Sequence, residues 1–465
     1  IEYLKKSVEL LPAYFDGWSA LAEAYSQLYI NSLDEQYVQK ASDAFSAAVK
    51  TAPSSSAELQ AECWLSWAQI LAESGRANED SKALRESIEK CARAFALDTK
   101  NPLITAQWVE ALSYLGYITS RLDLLLEAEN KALKAADEFP DDPDLWHAYG
   151  VCLMQLARYY SDTDYFEMAI EKLQYGLSID RSSAEHWHTL GLCHKLYADV
   201  TQDADLLERA NRFLTKAIDL KPACPALLFD AARSMLHFSE VMGDIATLES
   251  SLYYFETLMQ ASKDALIHHP EWLFEYGCAS ALLAEYTHES SPYYRAIEVF
   301  SHVLLVDPDF ASIHYRIAMC YFELGQLEAD AEFYKRAIHF FKLAARQEEE
   351  DEQVWLDWGI CLIHLAHHTL DTETMHQHYW DAEQKIAHAG TLGHHNAYYN
   401  LACLYSILGR TSEAMDFIRK ALTARALPAI DEMVEDDWLD NLRSTPAFAQ
   451  FLSALEAKLH QTREE

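Results

Sequence analysis

A tryptophan, or a residue standing in its place, recurs along this chain at steps of 38 to 46 residues. Trp18, Trp64, Trp108, Trp146, Trp187 and Trp355 carry the series. Leu228, Leu273 and His314 fill the slot between Trp187 and Trp355, and Tyr398 closes it. Self-similarity at such a period means that one supersecondary unit is repeated and that each unit buries its faces against its neighbours. Ten slots therefore define ten repeats, and the length of 465 residues does not have to be divided into three globular domains.

Four residues after each slot stands a small residue: Ala22, Ala68, Gly150, Gly191, Ala232, Gly277, Ala318, Gly359 and Ala402, with Leu112 the departure. A later pattern runs small, large, small at steps of four and three, as in Ala41–Phe45–Ala48, Ala210–Leu214–Ala217 and Ala296–Phe300–Val303. Those steps place residues on one helical face. Pro12, Pro53, Pro140, Pro222 and Pro308 follow, where one helix stops and the next starts. Each unit thus reads as a helix hairpin, its small residues letting the two helices approach and its aromatic filling the gap between pairs. Only 13 Gly and 12 Pro in the whole chain agree with an all-α fold poor in turns.

The units resemble tetratricopeptide repeats, with their W-x2-L-G-x2-Y, later A-x3-F-x2-A, and closing P. The resemblance is clearest in Trp187, Leu190, Gly191 and His194 with Ala210, Leu214, Ala217 and Pro222. It implies a right-handed α-solenoid, or superhelix, of about ten helix-turn-helix repeats. Residues 1–12 read as the end of a truncated preceding repeat, 13–427 as the ten repeats, and 428–465 as a capping segment whose helix, Phe448 to Leu459, covers the last exposed face. In one respect the units depart from the family. Seven of them separate the Trp slot from the small residue of the second helix by 23 residues instead of 16, which is about two extra helical turns. Shared between both helices, the extra length predicts helices of roughly 16–18 residues. Asp164 and Asp205 are the expected N-caps of second helices.

In this family the first helices line the concave face, and positions five, nine and twelve, counting the Trp slot as four, meet the ligand. The resemblance places Phe229, Arg233, Phe274, Tyr315, Met319, Phe322, Leu356 and Tyr399 there, a largely apolar stripe in the C-terminal half. The same spacing also suits core, and the sequence leaves both readings open. Position two carries an acid in five repeats. Asp144, Glu185 and Glu271 are candidates for an acidic rim that steers a basic partner, although a helix N-terminus favours acids there regardless of ligand.

No phosphate-binding glycine loop, nucleophile elbow or zinc-protease helix is present, and no cofactor is implied. Eight His lie between His364 and His395; His364 and His368, one turn apart, are the weak candidates for a metal. A formal charge of −36 argues against nucleic acid, and no apolar run is long enough for membrane insertion. Nine Cys without C-x-x-C, four of them recurring near the repeat period, read as small buried residues in a cytoplasmic or other reducing compartment. The expected role is a non-catalytic scaffold, adaptor or chaperone that holds a protein or peptide segment, basic or apolar, in its groove. A regulatory repeat module of a larger enzyme and a structural subunit of an assembly are the alternatives.

Overall fold

The structure, a computed structural model, describes residues 1–53, 56–261 and 269–464. Every regular element among them is helical. The chain divides into two compact units, Ile1–Trp272 and Leu273–Glu465.

In the first unit α1 (Glu2–Leu10) precedes six antiparallel pairs. These are α2 (Phe15–Ser32) with α3 (Gln36–Thr51), α4 (Ala57–Ala77) with α5 (Ser81–Leu97), and α6 (Pro102–Ile118) with α7 (Leu122–Glu138). Then come α8 (Pro143–Tyr160) with α9 (Thr163–Ile179), α10 (Ala184–Thr201) with α11 (Ala204–Leu220), and α12 (Pro225–Met242) with α13 (Ile245–Ala261). Helix α14 (Pro270–Thr287) begins at the boundary and pairs with α15 (Ser290–Val306). The second unit continues with α16 (Ile313–Glu328) and α17 (Ala331–Gln347), α18 (Glu352–His367) and α19 (Thr372–Leu392), and α20 (Ala397–Ile407) and α21 (Thr411–Thr423). Each unit stacks its pairs in order, in the manner of a tetratricopeptide solenoid.

Helix starts are written locally. Asp80, Asn101, Asp142, Ser183, Asp330, Asp351 and Asp371 each accept a backbone N–H of the first turn, and Pro102, Pro143 and Pro225 open their helices where no N–H is needed. The caps of α9 and α11 correct the expectation from sequence. They are Asp162 and Asp203, which accept from the N–H groups of Asp164 and Asp205. Those latter residues are already helical, and a capping side chain has to come from extended backbone just outside the helix.

The recurring small residues set the approach within each pair. A Cβ on Gly150 would stand 2.5 Å from Leu173 Cγ, and one on Gly191 would stand 2.7 Å from Leu214 Cγ. Ala22, Ala68, Ala232, Ala318 and Ala402 are fully buried. The tryptophans do more than fill space. Trp18, Trp146, Trp187 and Trp355 each donate Nε1–H to the carbonyl six residues earlier, at 2.8 to 3.0 Å, which pins the first helix to the turn leaving the previous repeat. Trp108 lacks that bond: the residue six earlier, Pro102, is already inside α6.

Helices α8 to α13 have 17 or 18 residues, so the added length is shared between both members of a pair. The last pair, whose spacing is standard, has only 11 and 13 residues, and the long interval of the ninth repeat goes into α19, with 21. The nine cysteines are free thiols. Cys152 and Cys361 donate Sγ–H to the carbonyls of Leu125 and Tyr334, and burial pushes the Cys152 thiol up to about 12.

Beyond α21 lie α22 (Ile430–Glu435), a 3-10 turn (Asp437–Leu439), α23 (Asp440–Arg443) and α24 (Pro446–Glu464). The short elements before α24 share the covering of α20 that sequence assigns to the terminal helix. Met433, Leu439 and Leu442 are fully buried, Leu442 N–H donates to Ser406 Oγ, and Asn441 donates to the Ser406 carbonyl. Buried polar groups need such partners, and the short turn brings backbone donors where a helix side has none.

Candidate functional site

In four of the repeats, position five of the first helix is tied to the neighbouring repeat. His147 Nε2 pairs with Thr189 Oγ1 at 2.8 Å, His188 Nε2 donates to Asp230 at 2.7 Å, and the Tyr315 hydroxyl donates to Asp357 at 2.8 Å. The Arg316 guanidinium lies over the Phe274 ring at 6.0 Å, at the same remove in sequence. Each of these pairs spans one repeat step plus one further position, so position five of one unit meets position six of the next. At the end of the series the Tyr399 hydroxyl donates instead to Asp436 at 2.7 Å. Sequence reasoning misses these latches. A donor or ring at position five of one repeat, with an acceptor or cation at position six of the next, is the signal that finds them.

The predicted stripe therefore has two kinds of member. Phe229, Phe322 and Leu356 are buried; Phe274, Tyr315, Met319 and Tyr399 are half-buried; Arg233 is exposed. Phe229 stacks on Trp272 at 4.8 Å within the first unit, and Phe322 packs against Tyr334 and His364 in the second. Among the half-buried members of the second unit, Glu323 and Asp357 sit with carboxyls held above the usual range. Burial is the main cause at both, and Glu285 adds to it at Glu323.

The acidic candidates are similarly engaged. Asp144 bonds His186 Nε2 at 3.1 Å, and Glu271 bonds His269 Nδ1 at 2.7 Å. Glu185 lies 3.6 Å from Arg76, a residue of α4, although its own helix, α10, is three repeats away. The first unit thus curls until its second and fifth repeats touch. In the space enclosed is a cavity of about 390 Å³. Its walls come from α2, α4 and α6, with Phe45 of α3, on one side and from α10, the α11–α12 turn and the start of α12 on the other. Glu23, Glu73, Glu110 and Glu185 supply negative charge, Arg76 and Lys221 positive, and Gln27, Gln69 and Gln107 present carboxamides.

Electrostatics in this cavity centre on Arg76. It bonds Glu73, faces the Tyr114 ring at 5.7 Å, and is held even more firmly protonated than usual, first by Glu73 and against the opposing effect of burial. Burial opposes ionisation of Glu185, yet Arg76 and then His147 hold its carboxyl below the usual range. Behind it, His147 Nδ1 donates to Glu110 at 3.0 Å and its ring stacks on His186 at 4.4 Å. Burial lowers the affinity of His147 for a proton, but the Glu110 hydrogen bond and charge outweigh it and the net shift is upward. Among the site residues expected from sequence, only Glu185 lines the cavity.

The histidine-rich segment packs as aromatic surface. His364 lies 5.3 Å from both Phe322 and Trp438 and 5.7 Å from Tyr334, while His368 lies 5.4 Å from Tyr334. Among the described residues no three His, Cys, Asp or Glu side chains are grouped to hold a metal ion. No described helix is long and apolar enough to cross a membrane.

The tetratricopeptide repeat family matches residues 311–339 and 395–426, which are the α16–α17 and α20–α21 pairs. The chain thus contains tetratricopeptide repeats, matched in these two helix pairs. Among solved structures it is similar to a thermophilic protein of this class, TTC0263 from Thermus thermophilus. The two are 17% identical over 46% of this chain and 98% of that one, with a TM-score of 0.33. A tetratricopeptide repeat protein from Parabacteroides merdae is 16% identical over 65% and 98%, with a TM-score of 0.34. The human IFIT1 dimer, solved with PPP-AAAA, is 14% identical over 88% and 95%, with a TM-score of 0.36. No curated protein matches the sequence.

Proposed function

We propose that this chain is a non-catalytic binding scaffold and that its first unit holds a basic, extended protein segment in the concave cavity. The observation that carries this reading is the cavity's lining: four carboxylates against two cations, with three carboxamides between them. Each carboxamide can both donate to and accept from an extended backbone, and the excess negative charge selects Lys and Arg over Asp and Glu. Most of the wall is helix, so the bound segment bears most of the loss of conformational freedom. In the second unit the half-buried Phe274, Tyr315, Met319 and Tyr399 offer ring and thioether edges to apolar side chains of a bound segment, while the latches of Phe274, Tyr315 and Tyr399 keep the wall rigid. Free, mostly buried thiols suit a reducing compartment.

Fluorescence anisotropy with labelled peptides tests the reading. A Lys- and Arg-rich peptide is expected to bind, to weaken as salt rises from 50 to 500 mM or so, and to weaken further when Glu23 and Glu185 are both replaced by Gln. Tighter binding of a Glu-rich peptide or of an RNA oligomer overturns it.

A further inference from the structure

Arg76 occupies the cavity in the way a bound arginine would. Its guanidinium stands between Glu73 and Glu185 and over the Tyr114 ring, with Glu110 also lining the space. Planar guanidinium, two flanking carboxylates and an aromatic face make up a complete recognition site for an arginine side chain. The occupant is nevertheless within reach of solvent. It comes from the last turn of α4, its side chain keeps 28% of its surface exposed, and the Glu185 side chain keeps 56%, so both reach solvent at the mouth of the cavity. Tyr114 and Glu110 project from α6, Glu185 from α10, and neither helix depends on Arg76 for its own start.

We infer that Glu73, Tyr114 and Glu185 form an arginine-side-chain site, and that Arg76 is its internal placeholder, displaced when an arginine of a bound segment enters. This rests on the reading of the first unit as a groove for basic segments and adds which side chain is read, where, and what competes with it. A ligand that has to evict a resident group binds more weakly by the fraction of time the site is empty. Lysine fits less well, because a compact ammonium neither forks between two carboxylates nor stacks flat on a ring. An intramolecular Arg also keeps the carboxylates from repelling one another in the empty chain, which accounts for its presence where the second and fifth repeats meet.

The test uses the full chain and labelled peptides of alternating Arg and Gly, Lys and Gly, and Glu and Gly, with an oligoadenylate RNA as a further probe. Arg76→Gln removes the competing charge and keeps the bulk. It is expected to bind the Arg peptide about fivefold to tenfold tighter than the native chain, the range that one or two partly exposed ion pairs supply. The Lys peptide gains less, and Tyr114→Leu erases the difference between the two. Arg76→Lys, which retains the charge and guards against a folding failure of the Gln variant, shifts in the same direction by a smaller factor. If the native chain binds basic peptides but neither Arg76 variant binds the Arg peptide tighter, the placeholder is wrong and the groove reading stands. If no basic peptide binds native or variant chains, or if the RNA binds tighter than any peptide, both fail.

Discussion

Acidification is expected to loosen the second unit through one side chain. His364, on α18, is enclosed by Phe322 from α16, Tyr334 from α17 and Trp438 from the terminal turn. Burial, and then the neighbouring charges His367 and His368, lower its pKa to about 4. The unfolded chain takes up a proton near pH 6.5, the folded one only near 4, so stability present above 6.5 is lost as pH falls between those values. From pH 7.5 to 5.5 an undiluted shift of that size removes about 1.3 kcal/mol, and partial solvent access to the ring reduces this to about 1 kcal/mol. The range stays above the isoelectric point of about 4.8, where a chain with no net charge precipitates. Urea midpoints measured by intrinsic fluorescence at both pH values, for the native chain and for His364→Phe, isolate the effect. The native chain should lose stability on acidification by that amount more than the variant does. Equal losses in both would refute the reasoning, because the cost would then lie elsewhere in the unit.

His147 should behave with the opposite sign. Its pKa is raised beside Glu110, so its contribution is complete below about 6.5 and is lost as pH rises through the folded value; His147→Gln should remove that part of the pH profile of thermal unfolding. Gly191→Ala places a methyl 2.7 Å from Leu214 and is expected to cost about 1–3 kcal/mol by overpacking, read as a fall in the urea midpoint. Trp187→Phe keeps the ring packing but deletes the bond to the Arg181 carbonyl, and calorimetry should record a loss of about 0.5–1.5 kcal/mol. Phe322→Ala, buried at 8% exposure, should cost about 3–5 kcal/mol, read as a fall in the thermal midpoint.

The repeat, its helix pairs and their length are written in the chain itself. A slot once per repeat, a small residue one turn later and a proline at many of the turns are local rules of helical periodicity and capping, and they act on neighbours in sequence. The same locality explains the small errors. Asp164 and Asp205 lie just inside the helices that sequence has them cap, since an Asp-x-Asp start offers two carboxylates and only backbone conformation decides between them. What spacing cannot supply is anything that depends on how one repeat rotates against the next. That rotation brings position five onto position six of its neighbour, so that Tyr315 meets Asp357 and His188 meets Asp230. Accumulated over three repeats, it carries Arg76 to Glu185 and encloses a charged cavity whose walls come from helices far apart in the chain. The twist per step, set by how side chains interlock between helix pairs, has no signature in spacing or composition, and its sum decides which side chains face one another across the cavity.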